Sequence, residues 1–173
     1  DLVAAACDGF TADCDPPLSE AISDPGTGTV YLDIDPTFRG YFEATGDGIF
    51  PSRIYPWPMW QGFLVNPIAP SIDTFSALAD SLGDPLDPEM GRLMISTYDC
   101  NGWSAANVSF ALNGNQIVEP PQVYYLQNLV PLVGQTATTS DGLAVWANVP
   151  PGAVTYSGTD QETGEVVTVG TVQ

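Results

Sequence analysis

The chain of 173 residues contains no lysine and no histidine, and its only cations are Arg39, Arg53 and Arg92. Without an imidazole or an ammonium group there is no Ser-His-Asp triad, no Cys-His pair and no Ser-Lys dyad. Zinc sites built on imidazole are excluded as well. Twenty-one acidic residues leave a formal net charge of −18. Such a chain repels a phosphate backbone, because nucleic-acid affinity comes from Lys and Arg displacing counterions. An anionic leaflet is disfavoured for the same reason. There is no run of about 18 apolar residues to cross a bilayer, so neither nucleic acid nor direct membrane insertion is expected. No basic stretch precedes an apolar one, so no intact signal peptide is expected either.

Cysteine is scarce. Cys7, Cys14 and Cys100 are the full set, and none has C-x-x-C spacing. Cys7 and Cys14 flank a glycine-containing turn, so a disulfide between them would staple a hairpin and contribute about 2–3 kcal/mol. A bridge from Cys100 to either would instead tie the two halves of the chain together. Spacing alone does not choose, but an odd count leaves one thiol over. The expectation is Cys7–Cys14 with Cys100 outside the pair, which implies an oxidising compartment.

What the chain does contain is turn chemistry and short apolar runs. Gly and Pro number 17 and 16, and 44% of residues are hydrophobic, which suits many short strands around a core rather than disorder. The clearest stretch is Thr136–Gly158. Ser140-Asp141-Gly142 is a turn cluster, and from Leu143 to Asn148 the residues alternate at period 2. Pro150-Pro151-Gly152 ends that strand, since proline has no N–H for a ladder. Further strands are predicted at Gly91–Tyr98, Asn107–Leu112, Gln122–Leu126, Gln135–Thr139, Ala153–Gly158 and Val166–Val172. Leu93, Ile95, Val108, Phe110, Val145 and Val154 are expected to point inward. In the first half, Leu2–Cys7, Thr29–Ile34 and Gly40–Thr45 read as strands.

The run Gly142-Leu-Ala-Val-Trp-Ala-Asn-Val-Pro-Pro-Gly152, with the strand, Asp99-x-x-Gly102 turn and second strand of Gly91–Leu112, resembles the carboxypeptidase regulatory-like domain, a transthyretin-like β-sandwich. The resemblance is strong over 91–173 and weaker over 1–60. It implies a mainly β, antiparallel Greek-key sandwich of transthyretin-like or Ig-like kind, at a bacterial surface and non-catalytic. The zinc carboxypeptidase motif often attached to that family has no counterpart here. The organisation expected is a small β-rich domain over 1–65, a helix-containing connector over 66–90 and the sandwich over 91–173. The helix is Ser71–Leu82, capped by Ser71 or Asp73 and stopped by Gly83, with Ile72, Phe75, Leu78, Ala79 and Leu82 on one face.

Three groups of residues are candidate sites. Tyr55, Trp57 and Trp60, among the prolines of 51–70, offer an aromatic platform for a glycan or a protein partner, against the alternative that they cover a core. Asp84, Asp87 and Glu89, or Asp13 with Asp15, supply loop carboxylates of the kind Ca²⁺ takes, without EF-hand spacing. Asp33 and Asp35 share a face at a strand end, a geometry that would serve a small acidic hydrolase. No other cofactor is expected. Both ends of the chain are strand-like, so self-association through a terminal strand, giving a filament by strand addition, is expected within the main reading of a non-enzymatic structural or adhesive module. A digest mapped without reduction should show a Cys7–Cys14 peptide pair and an alkylatable Cys100. A bridge from Cys100 would overturn the pairing.

Overall fold

The structure is a computed structural model that describes residues 1–9, 14–35, 37–55, 71–114, 116–119 and 121–172. The chain divides into two compact units, Asp1–Leu78 and Ala79–Gln173. The division falls inside the helix, whereas the sequence places boundaries after 65 and after 90.

The described strands of the first unit form one antiparallel sheet. Its strands are β1 (Leu2–Asp8), β2 (Ser19–Ile22), β3 (Gly40–Gly46) and β4 (Ser52–Ile54), in the order β2-β1-β3-β4. Ala6, Cys7, Tyr41, Phe42 and Ala44 are buried. Cys7 and Cys14 are joined by a disulfide with their Cα atoms 5.1 Å apart, and Cys100 is free and exposed, as the sequence predicts. Glu43 and Arg53 stand opposite each other on β3 and β4, with 2.9 Å between Nε and Oε1. The predicted strand Thr29–Ile34 does not form. From Val30 to Asp35 its residues alternate between half-buried and exposed, but they join no ladder.

The helix α1 (Ile72–Ser81) lies within one residue of its predicted ends. Ser71 Oγ accepts the Thr74 N–H at 3.1 Å, satisfying an orphan donor of the first turn. At the other end Gly83 takes φ +73°. The Gly83 N–H then reaches the Asp80 carbonyl and the Asp84 N–H reaches that of Ala79, both at 3.1 Å, a Schellman closure.

The second unit is a sandwich of two antiparallel sheets. β5 (Gly91–Ser96), β9 (Leu143–Val149), β7 (Val123–Gln127) and β8 (Val130–Leu132) form one, in that spatial order. β11 (Val166–Val172), β10 (Val154–Asp160) and β6 (Val108–Asn113) form the other. Val108, Phe110, Leu112 and Val154 from one sheet meet Tyr125, Ala144, Trp146 and Val149 from the other, with Leu93 and Ile95 packed against them. Among the described residues Trp146 is the largest side chain that is fully buried, and its ring meets Phe110 edge-on at 6.2 Å between centroids. Phe110 lies opposite Gly158, where any Cβ would stand 2.8 Å from the ring.

Two expectations are corrected in this unit. Val145 is buried, yet the face of β9 that enters the core is that of Ala144 and Trp146. β9 is central and covered on both sides, so period-2 alternation of apolar residues carries no sign there. A bulge follows, in which Ala147 and Asn148 oppose Arg92 alone. It turns Val149 inward and Asn148 outward. The predicted strand Gln135–Thr139 is a crossing segment, and the strand that does form is β8, joined to β7 through Asn128 and Leu129, both at positive φ. Asn128 suits that two-residue turn, but Leu129 lacks the glycine that advertises one.

Trp146→Ala should lower unfolding stability by about 3–5 kcal/mol, whereas Trp103→Ala, at a side chain 74% exposed, should change it by less than about 0.5 kcal/mol. Urea titrations of both variants check the assignment of the core.

Candidate functional site

Asp33 and Asp35 are both exposed. The Asp35 carboxylate accepts the N–H and the hydroxyl of Thr37, and those bonds hold it below the usual carboxylate range. A general acid needs the opposite shift. Asp24 and Asp99 are lowered in the same way by the loops they organise. At Asp99 the main contribution is the Trp103 N–H, at 2.9 Å.

Asp84, Asp87 and Glu89 are not gathered: their oxygens do not come within 4.8 Å of one another as a set. They are taken up instead in a strap laid on the outer face of β9. Asp84 accepts from Asn148 Nδ2 at 2.8 Å and from the Tyr124 hydroxyl at 3.1 Å. Asn148 Oδ1 accepts the Asp87 N–H at 2.8 Å, and Asp87 Oδ1 accepts that of Glu89 at 2.9 Å. Asp15 is exposed, and its partner Asp13 lies outside the described residues. The one convergent set among the described residues is Cys7, Cys14 and Glu43, and its sulfurs are joined in a disulfide rather than free as thiolates.

Of the aromatic platform, Trp57 and Trp60 lie outside the described residues. Tyr55 is partly exposed, 5.7 Å from the Tyr41 ring, and the Arg53 guanidinium stands 5.0 Å from the centroid of Tyr41.

The remaining chemistry is that of strand edges, because each sheet leaves backbone donors and acceptors unpaired at its margins. The three sheets have six edge strands among the described residues: β2, β4, β5, β6, β8 and β11. β1 is not one of them. It is paired along both sides, which removes the N-terminal strand from the two termini expected to associate.

Five of the edges are blunted. β2 has four residues and carries Glu20; β4 has three and carries Arg53. β8 has three with Pro131 at its centre. β5 carries Arg92 and runs beside the bulge. β6 is capped by side chains. Thr138, buried at 1% exposure, accepts the Val108 N–H at its Oγ1, and its own N–H goes to the Val108 carbonyl. The next outward N–H, that of Phe110, goes to the Tyr125 hydroxyl at 2.8 Å.

β11 has none of these devices over its regular part. It is seven residues long and without charge or proline. Val166 and Val167 bulge opposite Thr159, and Thr168–Val172 then run in register with β10. Asp160 exchanges bonds with Glu165 and Gly164 on the β11 side, while the Gln161 N–H goes to Asn107 on the β6 side. Alternation from there leaves the N–H and C=O of Val169 and Thr171 pointing away from β10. Val169 is 65% exposed. The outer face continues through Thr155, Ser157 and Thr159 of β10 and Ser109 and Ala111 of β6, with no charged side chain.

No family model, curated protein or solved structure matches the chain. No helix among the described residues is long and apolar enough to cross a membrane.

The strap has a pH signature. Partial burial, reinforced by the Asp84 carboxylate, pushes the Tyr124 hydroxyl up to about 12. Its contribution to stability is therefore complete below the ordinary tyrosine value of about 10 and is lost as the pH rises from there through 12. Tyr125, raised chiefly by burial, acts in the same direction. Thermal melts between pH 10 and 12 should fall less steeply for Tyr124→Phe than for the wild type. Parallel slopes would show that the strap bond does not form.

Proposed function

We propose that this chain is a non-enzymatic structural module outside a bacterial cell, joined to its neighbours by strand addition at β11. The observation that carries the reading is the contrast among the edges. Five are short, charged, interrupted or capped by side chains, and β11 offers a regular, uncharged, proline-free run from Thr168 to Val172. A sheet edge of this kind gives affinity through main-chain hydrogen bonds.

Several features support the rest of the reading. The Cys7–Cys14 disulfide fits an oxidising compartment. The absence of His and Lys removes the common nucleophile and base pairs. The two-sheet architecture of 79–173 is compatible with the transthyretin-like resemblance. A charge of −18 keeps copies apart at low salt, and screening at about 0.15 M, where the Debye length is about 8 Å, relieves that repulsion.

Sedimentation of the wild type should show self-association that strengthens with protein concentration and with salt. Val169→Pro removes an N–H that points away from β10, so it should block the edge at no cost to the existing ladder. It should sediment as a monomer with an unchanged circular dichroism spectrum, and Val169→Lys should do the same. A wild type that stays monomeric at every salt concentration would overturn the reading.

A further inference from the structure

The same edge decides what kind of assembly follows. We propose that β11 pairs with β11 of a second copy, antiparallel and about a two-fold axis at Gly170, giving a closed dimer with one continuous sheet β6-β10-β11-β11-β10-β6. The inference rests on the strand-addition reading and makes it specific. A filament needs two complementary open edges on each copy, one to give and one to receive. Among the described residues only β11 is a long edge without a blunting device: at the other margin of its sheet, Thr138 and Tyr125 cap Val108 and the Phe110 N–H of β6, and its residues Val108, Phe110 and Leu112 are buried. A single open edge can satisfy itself only against its own copy, and two identical strands related by a two-fold axis are antiparallel.

The register follows from which groups are free. Val169 and Thr171 face away from β10, so hydrogen-bonded pairs must join these residues to each other. Placing the axis at Gly170 sets Val169 opposite Thr171 of the partner copy twice over and keeps Thr168–Val172 paired along its length. It also leaves the bulge at Val166 and Val167 outside the ladder. The side of Gly170 that would crowd a neighbour is already filled within the copy, because the Tyr156 ring lies over it.

Charge favours the same occupant. None of the 21 acidic residues lies in Val166–Val172, and Glu165 falls outside the paired segment. Two copies of charge −18 thus meet along a strand free of carboxylates, flanked by the Val, Thr and Ser face.

Cysteine pairing tests the register, with Cys100→Ser as the background to remove the free thiol. An equimolar mixture of Val169→Cys and Thr171→Cys proteins should give a disulfide-linked heterodimer under mild oxidation, since directly opposite Cα atoms stand about 5.5 Å apart. Either protein alone should cross-link at least about tenfold less, because its cysteines then lie diagonally, about 7–8 Å apart. Sedimentation of the uncross-linked wild type should end at the dimer mass. Species that keep growing with concentration would overturn the closed dimer while leaving strand addition at β11 standing. A dimer that cross-links equally well in the single-variant samples would overturn the Gly170 axis. A wild type that is monomeric throughout would overturn both this inference and the reading beneath it.

Discussion

The sandwich depends on how the outer side of β6 is closed. A strand at the margin of a sheet has donors and acceptors that must go somewhere, and a buried one left alone costs about 1–3 kcal/mol. Here the N–H and C=O of Val108 are met by Thr138, and the N–H of Phe110 by the Tyr125 hydroxyl. Tyr125 belongs to β7 in the facing sheet. Thr138 belongs to the segment that crosses between sheets, and the next residue, Thr139, donates to the Leu126 carbonyl of β7. One set of hydrogen bonds therefore satisfies an edge and ties the two sheets at the same place. Thr138 and Tyr125 are themselves buried, beside the core of Phe110 and Trp146.

Closure at β6 is what gives the openness of β11 its meaning. The two strands flank β10 in one small sheet, and only one of them is finished by its own chain. The acidity works in the same direction. A surface with 21 carboxylates and three arginines offers little attraction between copies, and its long-range repulsion is screened within a Debye length. Contact is then decided by local surfaces that lack charge, and the outer face of β6, β10 and β11 is such a surface.

The polar features that look most like chemistry in the sequence turn out to be scaffolding. Asp84, Asp87 and Asn148 anchor the strap over β9, and Asp99 folds its loop by accepting the N–H groups of Asn101 and Trp103. Asp24 and Asp35 do the same for their turns. At Asp24, Asp35 and Asp99 the hydrogen bonds of the turn hold the carboxylate below its usual range, which suits it to fixing a turn and not to moving a proton.

The sequence by itself determined the local structure. Turn residues and period-2 runs placed β1, β3, β5, β6, β7, β9, β10 and β11 to within a few residues. Ser71 and Gly83 bounded α1, and the short Cys7–Cys14 loop indicated the disulfide. These features rest on interactions between near neighbours in the chain. Tertiary structure decided whatever depends on a partner distant in sequence. Thr29–Ile34 has a strand's pattern but joins no ladder, and Gln135–Thr139 divides its hydrogen bonds between two sheets. Val145 and Trp146 are equally apolar, and only the bulge and the strap over β9 settle which enters the core. The same holds at the site. Leu2–Cys7 and Val166–Val172 look alike as strands, and it is the sheet order that buries the first between two neighbours and leaves the second with one. An edge is a property of the assembled sheet, because whether a backbone N–H is free depends on what the fold has placed beside it.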